Sequence, residues 1–338
     1  MKNRIILLCL VAMIFMGQGV VLAQQKKTTP KKTKPADKPA PKAYVLLAVS
    51  EKTGSEVKGE IIKSVDNGTT WKIVYQNFKS PVNSVVYGTD KWVAVAGTKI
   101  YVSPSGDEDT WVENDISGML QGRIKSIAYG GGFFVAGGEK GTIVYSKDNK
   151  IWNPINDISD RVNTYYSIKY FNNKFIVAGN FNRIITLNIS GDKVVLNKAF
   201  KNSDDPKDYL SSIACSNKIY ICHKAFFRSA DGETFNQFMT SPAMTLSGIG
   251  CGNGIIIGAN ADGGLFTSSD GTKWEAITGI ETATANSIII SDIVFFSNSF
   301  IAVGSKGTIW KSTDGKAWSP VTTTNDFSTD TFLNIASN

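Results

Sequence analysis

Residues 124–155, IKSIAYGGGFFVAGGEKGTIVYSKDNKIWNPI, recur almost without gaps at 290–321 as ISDIVFFSNSFIAVGSKGTIWKSTDGKAWSPV. In the first copy Ile124–Tyr129 alternates in the manner of a strand, a glycine turn follows, and Phe133–Ala136 reads as a buried second strand. Gly137–Gly141 turns the chain into a third strand, Thr142–Ser146, and SKDNKIW turns it again into a fourth that begins at Trp152. The repeating unit is therefore strand A, strand B, strand C, a turn, and strand D.

That last turn, Ser-x-Asp-Gly-x-x-Trp, can be followed through the rest of the chain. It stands as SVDNGTTW at 64–71 with one residue inserted, SKDNKIW at 146–152, SADGETF at 229–235, SSDGTKW at 268–274 and STDGKAW at 312–318. SPSGDEDTW, ending at Trp111, and NISGDKVVL, ending at Leu196, fill the two gaps in decayed form. The final positions of these boxes fall 39–44 residues apart, so the body holds seven units of a length that suits a four-stranded propeller blade.

Residue types explain what the turn does. Asp66, Asp148, Asp231, Asp270 and Asp314 can accept backbone amides two or three residues on, and glycine relieves the positive φ of so tight a turn. Trp71, Trp152, Phe235, Trp274 and Trp318 can then fold an aromatic ring between neighbouring sheets. Single acids about 40 residues apart cannot gather the six or more oxygens that calcium takes. No metal and no cofactor is expected.

The first unit lacks a strand and the last stretch has one to spare. YVLLAVS (44–50) aligns with a B strand and has no A strand before it, whereas TFLNIASN (331–338) aligns with the A strands YYSIKY and LSSIAC and leads to nothing. The expected fold is an all-β, seven-bladed propeller with Asp-box turns whose first blade is completed by the C-terminal strand, which closes the ring and removes its sheet edges.

This pattern, over residues 43–338, resembles the BNR or Asp-box repeats of sialidase-like propellers, and the GTI-x-x-S-x-D-G-x-x-W rhythm is similar to secreted propellers of the photosystem II assembly factor type. The resemblance implies a scaffold that serves glycosidases, sorting receptors and assembly factors alike. A sialidase of this kind would carry an Arg-Ile-Pro motif and three arginines clamping a carboxylate. After residue 23 only Arg123, Arg161, Arg183 and Arg228 remain, and Arg123 and Arg183, each followed by Ile, lack the proline.

Met1–Ala23 has a basic start, an apolar run from Ile5 to Met16 and a Val-Leu-Ala end, the pattern of a secretory signal. Residues 24–42, QQKKTTPKKTKPADKPAPK, form a Lys/Pro tract with no aliphatic residue larger than alanine, expected to be a disordered, extended spacer. Nine of the 36 Lys and Arg and only one of the 29 Asp and Glu lie in residues 1–42, so the propeller carries a net charge of −1. That balance argues against nucleic acid as a partner. No later run is apolar for the ~20 residues that a membrane span needs. Cys215 and Cys251 occupy equivalent places in adjacent repeats, which leaves a bridge open, but buried thiols acting as small apolar side chains are the expected state.

In this strand order the B–C and D–A connections share one face and the Asp boxes lie on the other. Because the D–A connections are long and variable, the first face is the expected binding surface. Its candidate contacts are Arg123, Glu139, Arg161, Asn180, Phe181, Arg183, His223 and Asp262. His223, with no second histidine or upstream acid, reads as a solvent-facing loop residue. The expectation is an exported, monomeric, non-catalytic propeller that binds a protein or glycan through that face. Hydrolysis of an extracellular glycoside is the alternative, although no carboxylate pair stands out among Glu139, Asp204, Asp205, Asp208 and Asp262.

Overall fold

The computed structural model describes residues 45–52, 58–158, 161–278 and 288–338. The expected signal and Lys/Pro tract fall outside them. Ala43–Asn338 is one compact unit of seven four-stranded antiparallel sheets. Blade 1 runs, from the inside outwards, through Asp330–Ser337, Leu46–Lys52, Lys58–Ser64 and Lys72–Phe78, so the C-terminal strand does complete it. The innermost strands of blades 2 to 7 are Val82–Gly88, Ile124–Gly130, Tyr165–Phe171, Leu210–Cys215, Leu246–Gly252 and Ile290–Phe296.

Apolar side chains gather into seven clusters, one at each interface between neighbouring blades. The aromatic that ends each Ser-x-Asp turn joins the cluster shared with the preceding blade: Trp71 packs with blade 7, Trp152 with blade 2, Trp274 with blade 5 and Trp318 with blade 6. Each indole buries roughly 150–250 Å², about 4–6 kcal/mol at 25 cal/mol per Å² before ordering costs. That exceeds the ~1 kcal/mol net of a single hydrogen bond, so the turns serve above all to aim rings between sheets.

The turn itself is a small hydrogen-bonded cage. Ser312 Oγ accepts the Gly315 amide at 2.8 Å and donates to Asp314 at 3.1 Å, while Asp314 Oδ1 accepts the amides of Lys316 and Ala317 at 2.8 Å each. Trp318 Nε1 then donates to the Gly315 carbonyl at 3.2 Å. The same bonds recur around Asp231 and Asp270, and the amides that Asp231 accepts hold its carboxyl down at about 2.

Three positions depart from the expected unit. NISGDKVVL makes no box; it is a plain hairpin between Arg183–Ser190 and Lys193–Phe200. In SPSGDEDTW the serine still accepts the glycine amide at 2.7 Å, but Asp107 leaves the turn to pair with Lys63 of blade 1 at 2.8 Å. The D strands of blades 3, 6 and 7 hold two residues each and begin one residue after the tryptophan, not at it. A proline in Asn153–Pro154 and Ser319–Pro320 suits an edge that offers no further pairing.

Every innermost strand carries a bulge near its start, after Val82, Ile124, Tyr165, Leu210, Leu246 and Ile290 and at Leu333 in blade 1. The residue after the bulge is small or polar, and in half the ring it stitches one blade to the next. Asp292 accepts the Ile335 amide at 3.2 Å, Asn334 that of Val85 at 2.9 Å, Ser84 that of Ile127 at 3.4 Å and Ser126 that of Ile168 at 3.0 Å. The series stops at blade 4: Ser212 Oγ instead donates to the Ser247 carbonyl at 2.9 Å, Gly248 has no side chain to offer, and Asp292 Oδ1 accepts its own neighbour's amide, Ile293, at 2.9 Å. Close approach also needs glycine: a Cβ on Gly130 would lie 2.0 Å from the Tyr170 ring of the next blade.

Candidate functional site

A bulge turns its extra residue off the regular pleat. Here the extra residues are Asn83, Lys125, Tyr166, Ser211, Ser247, Ser291 and Leu333, at the end of the innermost strands that meets the D–A and B–C loops. All except Ser247 line a central cavity of about 370 Å³. Its lining also holds Lys169 and the half-buried Asp292. Burial raises the Asp292 pKa, and Lys169 with the bonds from Ile335, Ile293 and Asn334 acts against that rise.

An aromatic row runs outward beside this mouth. The Tyr166 and Tyr209 rings lie 5.3 Å apart, and Tyr209 stacks on His223 at 4.1 Å with 23° between the planes. His223 closes the strand Ile219–His223 and is half-buried, so it is not the solvent-facing loop residue expected from the sequence. Its Nδ1 lies 3.1 Å from the Leu246 carbonyl and 3.3 Å from Ser211 Oγ. Burial lowers its pKa, which favours a neutral ring at pH 7.

The other end of the row carries charge. Glu139 pairs with Lys125 at 3.2 Å and accepts the Arg123 amide at 3.2 Å, so Arg123 and Glu139 meet through the backbone, with the guanidinium group left exposed. The fold thus brings Arg123, Glu139 and His223 to one arc over blades 3 to 5, together with Lys125, Tyr166 and Tyr209, which the sequence reading missed. Asn180 joins the arc through a backbone bridge to Tyr209.

The remaining candidates lie elsewhere. Arg161 lines a separate cavity of about 410 Å³ with Lys140 and Thr142 on blade 3. Phe181, at φ 58°, sits in the blade 4 turn under the Lys201 ammonium, 5.2 Å from its ring centre, and Arg183 opens the next strand. Asp262 is exposed in the blade 6 turn that Asn260 ties together by accepting the Asp262 and Gly264 amides. Cys215, Cys222 and Cys251 are free thiols, and burial pushes Cys215 and Cys251 up to about 12. Among the described residues no three His, Cys, Asp or Glu side chains converge as metal ligands, and no helix is long and apolar enough to cross a membrane.

No protein-family model matches the chain, and no curated protein matches it. Among solved structures it is similar to "YCF48 bound to D1 peptide", with TM-score 0.58 and 13% identity over 80% of this chain and 97% of that one. It is also similar to PorZ of Porphyromonas gingivalis, described as an essential bacterial surface component of the type-IX secretion system. There the TM-score is 0.53 and the identity 14%, over 76% of this chain and 34% of PorZ. The computationally designed Ika8 protein gives 0.53 at 12% identity, over 84% and 95% of the two chains. At such identities the likeness is one of fold.

Proposed function

We propose that this protein is an exported, non-catalytic propeller that binds an extended partner, a protein segment or a glycan, across the channel mouth on the D–A and B–C face. The observation that carries the reading is the continuous row Tyr166, Tyr209, His223 beside Lys125 and Lys169. Flat rings held by packing offer contact area at little entropic cost, and ammonium groups at a concave mouth favour carboxylates or other anionic groups. A rigid ring with site residues drawn from several blades suits recognition of an extended partner.

Two fold neighbours agree with this reading: one is described with a bound peptide and the other as a surface component of a secretion system. The repeated Ser-x-Asp cages support kinship with BNR or Asp-box propellers, and the signal-like Met1–Ala23 supports export, with the Lys/Pro tract as a spacer.

The test is to probe peptide and glycan arrays with the protein and with its Tyr209→Ala and Lys125→Ala variants, alongside a screen on chromogenic sialosides and aryl glycosides. Binding that falls at least tenfold in both variants, without hydrolysis, supports the reading. Turnover abolished by replacing a single carboxylate would make this a hydrolase instead. N-terminal sequencing of the cell-derived protein should begin at Gln24; a retained Met1 in the cytoplasm rejects export.

A further inference from the structure

One turn is built differently from its counterparts, on the face opposite the channel mouth. Where the other well-kept Ser-x-Asp turns place Gly68, Gly232, Gly271 and Gly315 at positive φ, the blade 3 turn has Asn149 at φ 63°. A Cβ in this place points at the preceding blade: on Gly315 it would meet Ile255 and Ile257 of blade 6. The Asn149 side chain is accordingly directed towards blade 2. It is only 4% exposed, and neither its Oδ1 nor its Nδ2 has a hydrogen-bond partner among the described residues.

Asn149 has also lost the usual bond to its own carbonyl. In the turns ending at Trp71, Trp274 and Trp318 the indole N–H donates to the glycine carbonyl. Here Asn114 of blade 2 donates to the Asn149 carbonyl at 2.9 Å, and the Trp152 indole N–H is buried without a partner among the described residues. Buried polar groups are nearly always satisfied, so an amide left open on both its donor and its acceptor side calls for a reason.

The reason lies in what surrounds it. Asn149 lines a cavity of about 550 Å³ wedged between blades 2 and 3, with Val102, Pro104, Val112 and the stems of Lys91 and Lys150. That volume is in the range of ligand pockets, roughly 300–1,000 Å³. Val112 is 67% exposed, and Ile151, next to Lys150, is 68% exposed. Two carboxylates also line the wedge, and both are engaged: Glu113 binds Lys99 and Tyr101, and Asp148 is held by Ser146 and the amides of Lys150 and Ile151. Lys91 and Lys150 have no ion pair among the described residues.

We propose that this wedge between blades 2 and 3 is a second binding site, which takes an extended peptide with one apolar side chain next to acidic residues. A peptide group presents one N–H and one C=O, the complement of the Asn149 amide, which is sealed in the unbound protein and meets the peptide by turning outwards into the wedge. The apolar side chain fills the space beside Val102 and Val112, and the acids face Lys91 and Lys150. The outermost strand Val112–Asp115 leaves its outer edge unpaired, a position that extended peptides commonly use.

The test is selection from a displayed library of random seven-residue peptides on the immobilised protein, with the Asn149→Gly variant for counter-selection. Survivors are then synthesised and titrated by fluorescence anisotropy. The expected survivors share an apolar residue flanked by Asp or Glu. Their affinity should fall at least tenfold in Asn149→Gly and, independently, in the surface variant Val112→Asp, while Tyr209→Ala leaves it unchanged. No survivor, or survivors that need Tyr209 or ignore Val112→Asp, would overturn the proposal and leave the channel-mouth reading intact.

Discussion

Asn334 donates its side-chain amide to Asp292 Oδ2 at 2.6 Å while its own Oδ1 accepts the Val85 amide at 2.9 Å, so one side chain on the closing strand ties blades 7, 1 and 2 together. Asp292 is half-buried and held by three donors, of which Asn334 Nδ2 is one. Replacing Asn334 with alanine removes a charge-assisted bond and strands the Val85 amide. We expect Asn334→Ala to cost about 2–4 kcal/mol, measured by urea unfolding. Loss of under 0.5 kcal/mol would mean that the ring does not depend on this link.

Removing the whole strand should be more damaging. Deletion of Phe332–Asn338 takes away Phe332 and Ile335 from the interface of blades 7 and 1 and bares the edge of Leu46–Lys52. We expect loss of the single cooperative transition and rapid proteolysis. A truncated protein that unfolds like the full chain would show that blade 1 stands without its fourth strand.

The open amide of Asn149 costs stability in the unbound protein. Asn149→Gly removes two unpaired buried polar atoms at a positive φ that glycine adopts freely, a gain of about 1 kcal/mol or more. For a chain of this size that is about 1–2 °C in the melting temperature. Differential scanning calorimetry decides the sign, and a lower melting temperature would show that the amide is satisfied by water.

Within the Ser-x-Asp turn the serine should matter more than the acid. Ser312 is buried and alone accepts the Gly315 amide, whereas Asp314 is exposed and the amides of Lys316 and Ala317 can turn to water. Ser312→Ala is expected to cost about 1–3 kcal/mol, and Asp314→Ala less than that by the same chemical unfolding assay. The reverse order would return the weight to the acid.

Asp330 sets a pH dependence. Burial first, and the nearby Glu60 second, push its carboxyl up to about 6, although Lys52 lies 3.9 Å away and Ser50 donates to it at 3.2 Å. The unfolded chain titrates near 3.9, so between these values the folded state binds a proton that the unfolded state does not, and stability is lost as pH rises through about 6. Asp330 should raise the melting temperature from pH 7.5 to pH 5, with Asp292 adding in the same direction and His223, whose pKa burial lowers, opposing it. Asp330→Asn should raise it at pH 7.5 and flatten that slope. A slope unchanged in the variant would assign it to other groups.

The fold was readable because each blade repeats the same alternation, turn and aromatic, and the missing first strand could be matched to the spare last one. Even the fourth unit, whose turn decays to a hairpin at Gly191, keeps its place in the count. The channel mouth was less readable. Lys125 and Tyr166 belong to strands that look regular in sequence, and only the bulge, a feature of pairing with the next strand, lines the cavity with them. Loop residues such as Arg161 and Asp262 were conspicuous by type and position, yet the shape of the loops sends them away from the arc. Asn149 carried a visible signal, an asparagine where its equivalents have glycine, but its open amide could be seen only in three dimensions.

The pairing of Leu46–Lys52 with Asp330–Ser337 also has a consequence in time. On the ribosome the first of these strands emerges long before the second exists, and at 5–20 residues per second the chain between them takes roughly 15–60 s to make. Throughout that interval blade 1 lacks its inner strand and presents a bare, apolar edge to whatever is nearby. The ring can lock only once Asp330–Ser337 has emerged, so the nascent chain has to be kept apart from its own copies until then.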